Sequence, residues 1–277
     1  LPPHGRLALE GLPELRLKPE GIPAPPCEYP LPPRLFALSD LHGNWSGTVG
    51  LLQAHGVIDA RHRWTFGNGH LVVLGDVADR GSGVTELYWL IRSLEDQAKR
   101  SDGAVHLLLG NHETMLLRGD HRDVNAKYLQ AWNAHPGGLK ALFGPESELG
   151  RWLRSRPGMI RIGPYLFVHG GVSPDFLAER LSLNALNARL RTELDAPERG
   201  LLLGRTGPLW YRGLIPGADP GRTADARTED VAKALEAYGA KAFVVGHTTL
   251  ERVTAFHEGR VLGIDAGLKR GGSGEGL

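Results

Sequence analysis

The sequence has a single cysteine, Cys27, so no intrachain disulfide can form. That fits the cytosol, and equally a bacterial periplasm in a protein built without disulfides. Neither sign of charge is in excess: 32 lysines and arginines face 31 acidic residues, leaving a net charge of +1. Such a balance offers no polyanion-binding face and argues against nucleic acid as a partner. No apolar run approaches the ~20 residues that span a bilayer. An initiating methionine is also missing. A start at Leu1 fits a mature form whose signal peptide has been removed, hence a periplasmic or secreted protein, with a cytoplasmic one as the alternative.

Several catalytic loops are absent too. Cys27 and Arg34 are one residue too far apart for a cysteine nucleophile and its phosphate-cradling arginine. The prolines and Glu28 between them remove the ring of backbone N–H groups such a loop needs. Neither a Gly-x-Ser-x-Gly elbow nor a P-loop occurs.

What is present is 277 residues, enough for one large α/β layered domain. Residues 1–33 carry ten of the 19 prolines and read as an extended, polyproline-like arm or a flexible leader. The domain is expected over 34–270, with short helices in an insert at about 114–158, and a flexible Gly-rich tail over 271–277. Thr85 to Lys99 is an amphipathic helix, with Leu87, Leu90, Ile91, Leu94 and Ala98 on one face. The helix lies between apolar strands, as in a right-handed crossover unit. Asn68-Gly69 suggests a hairpin over Trp64 to Leu74, and Gly163-Pro164 another over Ile160 to Val168. A helix is expected over Asp175 to Leu194, a long loop over Gly200 to Asp219, and a last hairpin around Glu258-Gly259.

One arrangement recurs five times. An apolar strand runs into a Gly-flanked Asp, Asn or His: Ser39-Asp40-Leu41-His42-Gly43, Gly75-Asp76-Val77-Ala78-Asp79-Arg80-Gly81, Gly110-Asn111-His112-Glu113, His169-Gly170-Gly171 and Gly246-His247-Thr248. Open α/β folds place ligands at the carboxyl ends of strands. Asp265 ends a strand in a similar way and is read as structural, as are His55, His62, His70, His106 and His257.

Asp40, His42, Asp76, Asn111, His169 and His247 form a mixed oxygen and nitrogen donor set without thiolate. It suits Mn, Fe or Zn better than Ca²⁺ or a soft metal. Six ligands exceed the needs of one catalytic ion but suit two ions bridged by one carboxylate. Such a pair binds a hydroxide and clamps an in-line displacement at phosphorus. Arg80 and Arg212 are forks suited to phosphate oxygens. His112 sits beside the ligands and can protonate a leaving oxygen, with Asp79 fixing its tautomer.

Together these motifs resemble the calcineurin-like metallophosphoesterases, and more closely their phosphoprotein phosphatase branch, over about residues 34–268. The resemblance implies a sandwich of two mixed β-sheets flanked by helices, with a di-metal site at the strand ends. It implies Asp40 and His42 on the first ion, Asp76 bridging, and Asn111, His169 and His247 on the second. His112 would be the general acid paired with Asp79, and Arg80 would hold phosphate. Ser39 stands where the family usually has Gly.

The stretch Gly110 to Tyr128, the segment Gly150-Arg-Trp-Leu-Arg154 and Gly207-Pro-Leu-Trp-Tyr-Arg-Gly213 are similar to the Shewanella-like protein phosphatases, often bacterial or plastid-related. This makes Arg212 the second phosphate arginine, while Asp123 stands where that group often has Tyr. The activity implied is hydrolysis of phosphomonoesters, phosphotyrosine or phosphoserine/threonine, by a metal-bridging hydroxide. The alternative is a dinucleoside polyphosphate hydrolase, although Glu113 stands where that group usually has Asp. A non-enzymatic phosphopeptide binder would be expected to have lost a ligand, and all six are present.

Overall fold

A computed structural model of the chain describes residues 5–7, 11, 15–17, 21–272 and 274–277. Two sheets carry the fold. The smaller has the order β4 (Leu35–Leu38), β5 (His70–Val73), β6 (Ala104–Leu107) and is wholly parallel. The larger has six strands: β10 (Thr254–Phe256), β11 (Val261–Gly263), β9 (Ala242–Val245), β8 (Tyr165–Val168), β7 (Met159–Ile162) and β3 (Glu28–Tyr29). It is mixed: β8 and β9 run parallel, while β7–β8 and β10–β11 are the expected hairpins. Of the two sheets, therefore, only the larger mixes strand directions. A separate pair, β1 (Arg6–Leu7) and β2 (Leu15–Arg16), lies in the arm.

The strands read as continuous apolar runs because both faces are covered. Leu71, Val72 and Val73 are at most 1% exposed. Helix α1 (Trp45–Ala54) follows β4, and α2 (Val84–Lys99) crosses from β5 to β6. The apolar stripe of α2 is buried at all five expected positions. Helices α3 (Asn111–Leu117), α4 (Ala126–Asn133), α5 (Gly138–Leu142) and α6 (Glu148–Ser155) form the helical segment before β7. Helices α7 (Pro174–Leu177), α8 (Leu183–Asp195) and α9 (Thr228–Ala237) follow β8. Among the described residues, no helix is long and apolar enough to cross a membrane.

The chain departs from the sequence expectations in four places. No hairpin spans 64–74, because β4 and β6 take both edges of β5; Trp64 makes only an isolated bridge to Ile58. The helix expected over 175–194 is two helices. Arg180 adopts a left-handed φ of 51° between them, and Ser182 caps the second by accepting from the Ala185 N–H. The arm does not end at residue 33 as a separate element: Cys27 is buried and β3 joins the larger sheet beside β7. The rest of the arm lies partly outside the described residues. The tail expected to be flexible turns back, and Leu277 exchanges both backbone hydrogen bonds with Ala37 on the free edge of β4.

Candidate metal centre

Five strands deliver the candidate residues. Asp40 and His42 follow β4; Asp76, Asp79 and Arg80 follow β5; Asn111 and His112 open α3 just after β6. His169 follows β8 and His247 follows β9. The first three strands belong to one sheet and the last two to the other, so the centre sits where the carboxyl ends of both sheets meet.

The backbone at these positions is unusual. Among the described residues, eleven non-glycine residues have a positive φ, and six are candidates: Asp40 (54°), His42 (41°), Asp76 (53°), Asp79 (69°), Arg80 (63°) and His247 (64°). Asp and His tolerate this region better than most side chains, yet each instance costs about 1–3 kcal/mol. The surroundings must enforce it. The Asp40 and His42 N–H groups donate to the Gly75 and Asp76 carbonyls at 3.2 and 2.8 Å, and the Gly81 N–H donates to the His42 carbonyl at 2.9 Å. The first two loops therefore hold each other. Gly75 and Gly110 let the second and third loops touch: a Cβ on Gly75 would lie 2.2 Å from the Gly110 nitrogen, and one on Gly110 would lie 2.2 Å from Asp76 Oδ1.

Asp76 is the hub. Its Oδ2 lies 3.5 Å from His42 Nε2, 3.3 Å from His169 Nε2 and 4.0 Å from His112 Nε2. Two groups of donor atoms share it, His42–Asp76–His112 and Asp76–His169–His247. Asp40 Oδ1 is 3.9 Å from His42 Nε2, and Asn111 Oδ1 is 3.1 Å from His169 Nε2. All six candidate ligands are buried.

The tautomers can be assigned. Carbonyl oxygens only accept, so His42 and His169 carry their proton on Nδ1, donating to Ala78 and Leu74 at 2.7 and 2.6 Å. His247 donates from Nε2 to the Trp210 carbonyl at 3.2 Å. Each neutral ring then directs its other lone pair inward. His42 Nε2 is buried without a hydrogen-bond partner, and His169 Nε2 faces the oxygens of Asp76 and Asn111. Lone pairs opposed to carboxylate and amide oxygens repel unless a cation lies between them. Burial pushes the His169 pKa down, but Asp76 and Asp40 carry it up to about 9, so a proton can supply that cation. Burial raises Asp40, while His169 and Lys269 draw it down to about 2. The oxygen and nitrogen donors suit a borderline or hard metal ion in the same place.

His112 is held differently. Its Nδ1 donates to Asp79 Oδ2 at 2.6 Å, and its Nε2 lies 3.3 Å from Arg80 Nη2. Burial lowers its pKa, yet Asp76 and Asp79 raise it above the ordinary histidine value. Arg212 reaches the centre's edge, where its Nη1 donates to the His247 carbonyl. The ten residues expected at the site therefore converge.

Residues that the sequence analysis did not assign to the site complete the centre. Glu113 is fully buried and accepts from the N–H groups of Asp76, Val77, Ala78 and Gly110 at 2.7–3.0 Å, and from the Tyr88 hydroxyl at 2.8 Å. Burial and the charge of Asp76 push its pKa up, and these donors oppose them. Its spacing, three residues after the helix-capping Gly110, was the available signal. Lys269 bridges Asp265 and Asp40, 3.4 Å from Asp40 Oδ1. Burial and Asp40 raise the Asp265 carboxyl to about 7. Ser39 Oγ donates to Asp40 Oδ2 at 2.7 Å, a contact glycine could not make. A cleft of about 1020 Å³ opens beside the centre, with His42, Arg80 and Lys269 in its lining.

Residues 33–250 match the calcineurin-like phosphoesterase family. An uncharacterized protein of Schizosaccharomyces pombe is 31% identical over 267 residues, covering 88% of this chain and 76% of its own. Shewanella-like protein phosphatase 1 of Plasmodium berghei is 26% identical, covering 78% of this chain and 61% of its own. The symmetrical bis(5'-nucleosyl)-tetraphosphatase of Neisseria meningitidis is 28% identical, covering 65% of this chain and 59% of its own. Among solved structures, a cold-active protein-tyrosine phosphatase of a psychrophilic Shewanella superposes with a TM-score of 0.86 at 36% identity, covering 96% of this chain and 81% of that one.

Proposed function

The chain belongs to the calcineurin-like phosphoesterases, in the phosphoprotein phosphatase branch, and on that premise we propose that it is a di-metal phosphoprotein phosphatase that hydrolyses phosphomonoesters, phosphotyrosine among them. The carrying observation is Asp76, a buried carboxylate shared by two groups of inward-facing imidazoles. Asp40 and His42 would hold one ion, Asn111, His169 and His247 the other, with Asp76 between them. Bound Mn, Fe or Zn ions would supply Lewis-acid charge at the phosphoryl oxygens and lower the pKa of a water.

This chain's own residues supply the rest. Arg80 presents a fixed-charge fork to the equatorial phosphoryl oxygens, where negative charge is concentrated. Arg212 is the second such fork once released from the His247 carbonyl. His112 serves as the general acid rather than a ligand, because an ion on its Nε2 would face the Arg80 guanidinium at 3.3 Å. Its protonated form is favoured by Asp76 and Asp79, and Asp79 keeps Nε2 as the donor to the leaving oxygen. A phenolate leaves more readily than an alkoxide, so aryl phosphates place the smaller demand on His112.

The test uses chelated protein with Mn²⁺ titrated back and phosphotyrosyl and phosphoseryl peptides as substrates. Metal-restored hydrolysis, absent in Asp76→Asn, is the expected result. Two bound metals with no turnover of either peptide, but cleavage of diadenosine tetraphosphate, would replace this reading with the nucleotide-hydrolase one.

A further inference from the structure

The cleft beside the centre has two kinds of lining. His42, Arg80 and Lys269 line it next to the carboxylates. Trp45, Trp89 and His62 line it as well. Trp45 is the first residue of α1, and Trp89 lies about one and a half turns into α2, so both project from helices that start at the site loops. Both indoles are half-buried, with their inner faces against the core. The Trp45 and His62 rings meet edge to face, with centroids 5.3 Å apart. Aromatic rings and the arginine proposed to hold phosphate thus line one cleft.

The geometry points to a second subsite against these aromatic rings, which takes a large aromatic or aliphatic side chain flanking the phosphorylated residue of a peptide. This assignment rests on the phosphatase reading above and extends it to what lies around the phosphoresidue. Charge distinguishes the occupant from a dinucleoside polyphosphate. Such a ligand needs cations along its chain. Besides Arg80 and Lys269 the lining of the cleft offers Lys127, whose Nζ is already bound to Glu86 Oε1 and the Ser82 carbonyl, each at 2.7 Å. An apolar side chain needs no counter-charge, and its burial against two indoles is favourable.

Two phosphotyrosyl peptides test this, identical except that one carries phenylalanine on both sides of the phosphotyrosine and the other glycine. Para-nitrophenyl phosphate, which has no flanking residue, reads the hydrolytic step in each protein. In the wild type the phenylalanine peptide is expected to have the higher kcat/KM by roughly ten- to a hundredfold, the factor expected for burying one large apolar side chain. The gain should lie in KM. In Trp45→Ala and Trp89→Ala the ratio between the two peptides should fall towards one.

Equal kcat/KM for the two peptides in a wild type that hydrolyses para-nitrophenyl phosphate would overturn the subsite and leave the phosphatase reading standing. A preference that survives both variants would overturn it as well. So would variants that raise KM for diadenosine tetraphosphate alone, which would assign the aromatic rings to a nucleobase. A wild type unable to hydrolyse para-nitrophenyl phosphate with any metal added would remove both readings. Should an alanine variant fail to fold, the peptide pair on the wild type decides alone.

Discussion

Two buried histidines, His169 after β8 in the larger sheet and His106 within β6 in the smaller, behave in opposite ways. At the carboxyl end of β8, His169 is 0% exposed, yet its pKa stands at about 9. Within β6, paired with Val72 of β5, His106 is 6% exposed and its pKa is pushed to about 3. His106 Nε2 meets His70 Nδ1 at 3.1 Å, and the Tyr29 ring packs 4.4 Å away, edge to face. After burial, the charges acting on His106 are His70 and Arg156, both of which disfavour another proton. His169 is as deeply buried, but Asp76 is 3.3 Å away. Burial alone makes a histidine inert. A carboxylate within reach, on a backbone that holds it there, makes one a cation-binding group.

The largest expected effect sharpens the active side. His112→Ala should lower kcat by roughly 10²–10⁴-fold while metal content, read by elemental analysis, stays intact. Near-wild-type turnover of an alkyl phosphate would take His112 out of the acid role. A smaller effect is expected one layer out. Glu113→Gln keeps the shape but places an amide against backbone donors, and should weaken metal affinity or activity by about 10–100-fold. Calorimetric metal titration that shows unchanged affinity, together with unchanged kcat, would show that the loop holds itself.

The smallest effect, none on turnover, belongs to the inert side. His106→Gln should leave kcat unchanged and alter the pH dependence of stability. The folded pKa of His106 lies below its unfolded value of about 6.5. The unfolded chain therefore takes up the proton more readily, and the stability His106 allows above pH ~6.5 is lost as pH falls towards 3. Urea midpoints of chelated protein at pH 7 and 4.5 should fall further in the wild type than in the variant. An equal fall would break the comparison, because His106 would then titrate like an exposed ring.

The strand ends were legible because metal-type residues recurred after apolar runs, and such runs mark buried strands whatever their partners. The amphipathic helix α2 was legible from Leu87 to Ala98 for the same reason. Pairing was less legible. Asn68-Gly69 carries a hairpin signal, but a local turn preference cannot show that β4 and β6 already flank β5. Lys269 escaped notice because its partner Asp40 is 229 residues away, and sequence spacing exposes only its contact with Asp265. The role of Ser39 was invisible as well: replacing a small residue with another small one hides a hydroxyl aimed at Asp40. No sequence pattern announced the left-handed backbone at Asp40, Asp76 and His247, since Asp and His occupy that region only occasionally.

That backbone bears on transplantation. An engineer who copied Asp40, His42, Asp76 and His247 onto the strand ends of another scaffold would reproduce the ligand list without the directions in which the ligands point. Ordinary extended or helical conformations at those four positions would aim each side chain elsewhere, and an error of about 1 Å is enough to spoil such a site. The portable unit is the set of three loops after β4, β5 and β6, the first two interlocked by backbone hydrogen bonds and the second and third touching at Gly75 and Gly110. A graft that carried those loops whole would keep its geometry even with the ligands replaced by asparagine. One that carried only the side chains would need a new scaffold designed around it.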